Sequence, residues 1–168
     1  MQAARIPVDV IMERVPLHNR WASERWQAAS VQPAPAATGA ELLGGDAGHE
    51  CWCVHGHEVE LHPTEAEGYF LNLTSPEPKA FVMWRLHDDG QPLARPIIVT
   101  LSYQEAARFL DAGEQVDGVP LAPALADWMR PFIATHYKPE PRRKGRRNDP
   151  LAADRPGNPS ATRGRDER

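Results

Sequence analysis

The sequence predicts an α+β domain built on an antiparallel sheet, and three observations carry that expectation. Runs of alternating β-branched and apolar residues fill its first two thirds, a helix-opening signature with helical apolar spacing follows, and beyond Tyr137 apolar periodicity stops. The expected architecture is a sheet of about six strands, with barrel closure left open, followed by two C-terminal helices. Residues 1–138 are assigned to this domain and residues 139–168 to a disordered basic tail, rich in Pro, Arg, Gly, Asp and Asn.

Residues 8–15 are rich in Val, Ile and Met, and Pro16 with His18 and Asn19 supplies turn chemistry before a second run at 24–31, so these form an opening hairpin or a pair of adjacent strands. Residues 32–48 are Pro-, Ala- and Gly-rich without a period, a loop composition. Strand character returns at 50–61, where Val59 and Leu61 alternate with Glu58 and Glu60, and His62, Pro63 and Thr64 then turn the chain. Residues 65–73 carry two signals. Thr64 with Glu67 spells a capping box, whereas Tyr69, Leu71 and Leu73 alternate with Phe70 and Asn72; the strand is favoured. Residues 80–86 and 96–101 are further strands around the turn Asp88-Asp89-Gly90, completing an antiparallel meander.

Ser102 and Glu105 form a capping box, Ala106, Ala107, Phe109 and Leu110 make an apolar helical face, and Gly113 sits where a left-handed residue closes a helix. Residues 115–119 suit a short strand. Pro123 fits a first helical turn ahead of Leu125, Trp128, Phe132 and Ile133, and Pro131 is expected to kink that helix or end it early.

At 168 residues with a 41% hydrophobic fraction, one domain can bury a core without disulfides or metal. The net charge of -4 is divided: residues 139–168 carry nine Lys/Arg against five Asp/Glu, and the body carries ten against eighteen. The basic run Arg142-Arg143-Lys144-Gly145-Arg146-Arg147 could hook phosphate, yet it lacks aromatics for base stacking and sits on an acidic body, so nucleic acid is not the expected partner. The N-terminus lacks the charged start and apolar run of a secretory signal, no apolar stretch approaches the roughly 20 residues of a membrane span, and two cysteines fit a reduced compartment. A cytoplasmic location is expected.

Two constellations could carry chemistry. His49, Cys51, Cys53, His55 and His57 recur at period two and on a regular strand would share one face; thiolates and imidazoles suit zinc or copper, with Cys51, Cys53, His55 and His57 the candidate ligands. Same-face neighbours on one strand lie about 7 Å apart, so one straight strand supplies about two ligands and others must come from elsewhere, such as His62. The competing reading makes the cysteines small apolar fillers and the histidines edge solvation. The second group is Arg14, Arg20, Trp21, Arg25 and Trp26, in which guanidiniums meet indoles and could hold an anion, a nucleotide or an acidic partner; otherwise the tryptophans are core or half-core anchors with solvated arginine neighbours. Residues 42–48 contain Gly44-Gly45 but lack a phosphate-loop spacing or Lys-Ser/Thr ending, and no GxSxG, HExxH or paired CxxC motif occurs. No catalytic residue is assigned.

Ile11-Met12-Glu13-Arg14-Val15-Pro16-Leu17, Asn19-Arg20-Trp21-Ala22-Ser23-Glu24-Arg25-Trp26, Val59-Glu60-Leu61-His62, Phe81-Val82-Met83-Trp84-Arg85 and Val99-Thr100-Leu101-Ser102 together resemble the bacterial domain-of-unknown-function family three-three-zero-five, from about Val8 to Tyr137. Members are commonly encoded beside molybdenum-dependent formate dehydrogenase and its maturation proteins, and many carry the label of molybdopterin-guanine dinucleotide biosynthesis protein A. That guanylyltransferase opens with a Gly-Gly loop followed by Arg and Lys, whereas the Gly-Gly here lies at 44 and 45 without them. The resemblance implies a non-enzymatic accessory that binds formate dehydrogenase or its maturation proteins, with Arg20, Trp21 and Trp26 as leading contacts and no cofactor expected. The alternatives are an enzyme or carrier for a molybdopterin nucleotide or another polyanionic small molecule, which needs Arg14, Arg20, Arg25 and Arg85 to converge on a pocket, and a stand-alone metal-binding module centred on Cys51 and Cys53.

Overall fold

A computed structural model describes residues 3–46 and 48–141, and the tail assigned to residues 139–168 lies almost wholly outside the described residues. The class is α+β with antiparallel strands, arranged as two open sheets. The first contains β1 (Ala4–Pro16), β2 (Glu24–Pro33), β3 (Ala40–Asp46) and β4 (His49–Leu61) in the order β2-β1-β4-β3. The second contains β5 (Lys79–Leu86), β6 (Ala94–Thr100) and β7 (Gln115–Pro120) in the order β6-β5-β7. Helices α1 (Ala66–Leu73), α2 (Tyr103–Asp111) and α3 (Pro123–His136) complete the body.

The opening hairpin forms as expected: β1 pairs antiparallel with β2 from Val8 opposite Pro33 to Pro16 opposite Glu24. On its other side β1 pairs with β4, from Ala4 opposite Leu61 to Arg14 opposite Glu50, so the first sheet is not a simple meander. Alternation decides which face is buried. Val8, Val10 and Met12 point inward with Ala28, Val54, Val59 and Leu61, and meet Val82, Trp84, Val99 and Val119 from the second sheet together with Leu125, Met129 and Ile133 of α3. Each buried Val, Leu, Ile or Met side chain contributes about 1.5–3 kcal/mol by leaving water.

Three expectations change. Residues 40–46 are a strand, although all seven are exposed; β3 is an edge held by its ladder to β4 rather than by burial, so hydrophobic patterning could not mark it. Gly45 permits that hairpin, since a Cβ there would lie 2.0 Å from the His49 carbonyl oxygen. Residues 66–73 form a helix, not the favoured strand. Its buried residues are Ala66, Gly68, Tyr69 and Asn72, spaced for a helical face, while Leu71, which suggested alternation, is exposed. Tyr69 is fully buried; its hydroxyl accepts from the His62 amide at 3.0 Å, and burial pushes its pKa up to about 12. Asn72 clamps the helix to the second sheet: its amide nitrogen donates to the Lys79 and Leu101 carbonyls, and its oxygen accepts from the Lys79 amide. Finally, α3 does not end early at Pro131 but continues to His136; Pro131 occupies an exposed face while Met129 and Ile133 hold the buried one.

The Ser102 cap forms, its hydroxyl accepting from the Glu105 amide at 3.1 Å, and Gly113 takes the left-handed conformation with φ of 81°. Ser102 also donates to Glu65 at 2.7 Å, which ties α2 to the turn preceding α1.

Candidate functional site

The structure divides each of the two sequence constellations. In the Arg/Trp group, Arg14 and Trp26 face each other across the β1–β2 ladder on the inward side. Trp26 is 7% exposed and anchors the core. Arg14 is neutralised, donating to Glu24 at 2.7 Å and to Glu50 at 2.5 Å. Glu50 also accepts from the Trp52 indole at 3.0 Å, and these bonds, Trp52 first and Arg14 next, hold its carboxyl below the usual range. The same ion pairs raise the Arg14 guanidinium.

Arg20 and Trp21 lie instead at the hairpin tip, where the Trp21 side chain is 90% exposed. The backbone beneath them is fixed. The Asn19 side-chain oxygen accepts from the amides of Trp21 at 3.0 Å and Ala22 at 2.9 Å, and the Leu17 amide donates to the Ser23 carbonyl at 2.9 Å. Arg25, also exposed, donates to Gln27 at 2.7 Å. Beside this strand a groove of about 580 Å³ is lined by Arg25, Trp26, Trp84, Leu86, Leu93 and Asp117. The Asp117 carboxylate stiffens its wall by accepting from the Trp84 indole and the Ala28 amide, both at 2.8 Å.

The Cys/His row is broken by one residue. Val10 of β1 pairs with Val54, but Val8 pairs with His57, so β4 inserts an extra residue at His55–Gly56. Gly56 makes the bulge possible with φ of 87°. The parity of β4 therefore inverts: Cys51, Cys53 and His55 share the outward face, while His57 joins the face that carries Val59 and Leu61. Burial lowers the His57 pKa, opposed by Asp9. The expectation that His57 completes a ligand set with Cys51, Cys53 and His55 is not met by this geometry.

A residue that sequence reasoning passed over takes its place. Asp9, opposite the bulge on β1, meets His55 with 2.8 Å between carboxylate and Nδ1, and the Cys53 thiol lies 3.6 Å from Asp9 and 3.8 Å from the same Nδ1. The signal was present as a lone carboxylate between Val8 and Val10, but its partners lie more than forty residues away. Cys53 is 7% exposed, and burial, aided by Asp9, pushes its thiol up to about 11. That thiol is not a poised nucleophile, and His55 presents one nitrogen to both neighbours, so this is not a Cys-His-Asp relay.

His57 instead lines a cleft of about 510 Å³ between the sheets, with Glu58, Glu60, His62, Glu105 and Ile98. Among the described residues, no Lys or Arg contributes to that lining. Of the arginines a polyanion site would gather, Arg14 is bound to Glu24 and Glu50, and Arg85 to Glu114.

The family model described as Protein of unknown function (DUF3305) matches residues 7–146. The chain belongs to this family. The match runs from within β1 through the end of α3 and reaches into the basic run that follows. No curated protein and no solved structure matches the chain. Among the described residues, no helix is long and apolar enough to cross a membrane.

Proposed function

We propose that this family member is a non-enzymatic binding protein that docks on molybdenum-dependent formate dehydrogenase or its maturation proteins through the β1–β2 hairpin tip. The observation that carries the docking role is Trp21, 90% exposed on a loop whose backbone is held by Asn19. A large indole left in water on a preorganised loop costs little entropy to bury against a partner, which is the chemistry of an interface anchor. Arg20 and Arg25 place positive charge beside it on a body rich in carboxylates, so the fitting partner surface is acidic around an apolar pocket. The choice of formate dehydrogenase rests on the family's genomic company, and the basic run at 142–147 offers a second electrostatic contact.

Deleting the gene tests the biological half of this reading. The expected outcome is formate dehydrogenase with reduced activity and reduced molybdenum content, restored by the wild-type chain but not by the Arg20→Ala/Trp21→Ala variant. Fully active, fully molybdenum-loaded enzyme in the deletion strain would refute it.

A further inference from the structure

We propose that Asp9, Cys53 and His55 form a divalent-metal site, fitted to zinc, on the outward face of the first sheet. The Asp9 carboxylate, Cys53 Sγ and His55 Nδ1 all lie within 4.8 Å of one another. A tetrahedral zinc ion with bonds of about 2.3 Å to sulfur and about 2.0–2.2 Å to nitrogen and oxygen sets its ligands about 3.5 Å apart for sulfur pairs and about 3.3 Å for nitrogen and oxygen. The observed separations are 3.8 Å for sulfur to nitrogen, 3.6 Å for sulfur to oxygen and 2.8 Å for nitrogen to oxygen. The two sulfur separations therefore already suit the ion, and the imidazole and carboxylate need part by only about half an ångström.

The surroundings favour a cation over an empty polar cluster. Glu41 stands opposite Cys53 on β3 and Glu13 opposite Cys51 on β1, so two further carboxylates flank the thiols. The donors are held by the ladder and its bulge rather than by mobile loops: Asp9 and Cys53 lie on paired strands, and Gly56 turns His55 toward Asp9. Its three protein ligands leave a fourth position for water, for Glu41 or for a donor from a partner. One thiolate, one imidazole and one carboxylate exclude the all-oxygen preference of magnesium and calcium and suit zinc, with cobalt as its spectroscopic substitute.

The test is zinc uptake by the purified full-length chain under reducing conditions, read by elemental analysis after dialysis and by the sulfur-to-metal absorption band with cobalt. One ion per chain is expected, with a sulfur charge-transfer band and a raised melting temperature. Cys53→Ser, His55→Gln and Asp9→Asn should each lower affinity at least tenfold, while Cys51→Ser and His57→Gln retain the ion. Folded wild-type protein that takes up no zinc overturns the proposal, as does uptake that survives in Cys53→Ser and His55→Gln. Loss of the ion in Cys51→Ser or His57→Gln would overturn the assignment of ligands. Because the readout is metal content, failure here leaves the hairpin docking role standing.

Discussion

Two arginine–tryptophan pairs occupy one hairpin and meet opposite fates. Arg14 and Trp26 lie on paired strands, where the indole is buried and the guanidinium is divided between Glu24 and Glu50. Arg20 and Trp21 lie on the connecting loop, where the indole is in water and an asparagine holds only the backbone. Identical side-chain chemistry thus serves stability in one place and presents a surface in the other, and position relative to the ladder makes the difference. The lesson for reading sequence is that Arg/Trp proximity along the chain says nothing about function until the turn is located.

Substitutions that treat the two pairs alike should give unlike results. The largest expected loss is for Trp26→Ala, which opens a cavity in the core and should cost about 3–5 kcal/mol in chemical denaturation. Arg14→Met should cost less, about 1–2 kcal/mol, because Glu24 and Glu50 lose their shared donor at a site water partly screens. Smaller still, and dependent on pH, is Glu50→Gln. The folded carboxyl is held below its ordinary value, so its contribution is present above the unfolded glutamate pKa and is lost as pH falls through the lowered folded value. Denaturation midpoints measured from neutral pH downward should fall less steeply in Glu50→Gln than in wild type. Trp21→Ala should shift stability by no more than about 0.5 kcal/mol, since it removes no buried contact. Equal losses for Trp21→Ala and Trp26→Ala would erase the distinction between the pairs.

What the sequence revealed follows the same division between local and long-range physics. The Pro16 to Asn19 turn, the Ser102–Glu105 cap and Gly113 are local signals, and each appears in the fold where its chemistry placed it. β3 escaped notice because pairing with β4 rather than burial makes it a strand, and Gly44-Gly45 looks like loop composition. For α1, Leu71 imitated a strand period, while the deciding contacts of Asn72 reach Lys79 on the next strand and, from a more distant segment, Leu101. The candidate site was half legible. Cys53 and His55 stood out by spacing, but a bulge at Gly56 sends His57 to the other face and the pairing of β1 with β4 brings in Asp9, neither of which leaves a periodic trace.

The most direct test of the docking role compares wild type and Trp21→Ala for affinity toward purified formate dehydrogenase and its maturation proteins, with melting temperature measured on the same samples. The expected result is an unchanged melting temperature with Kd raised at least about 30-fold, the loss of one interface anchor. Unchanged affinity of the folded Trp21→Ala variant for a partner that the wild type binds would contradict it.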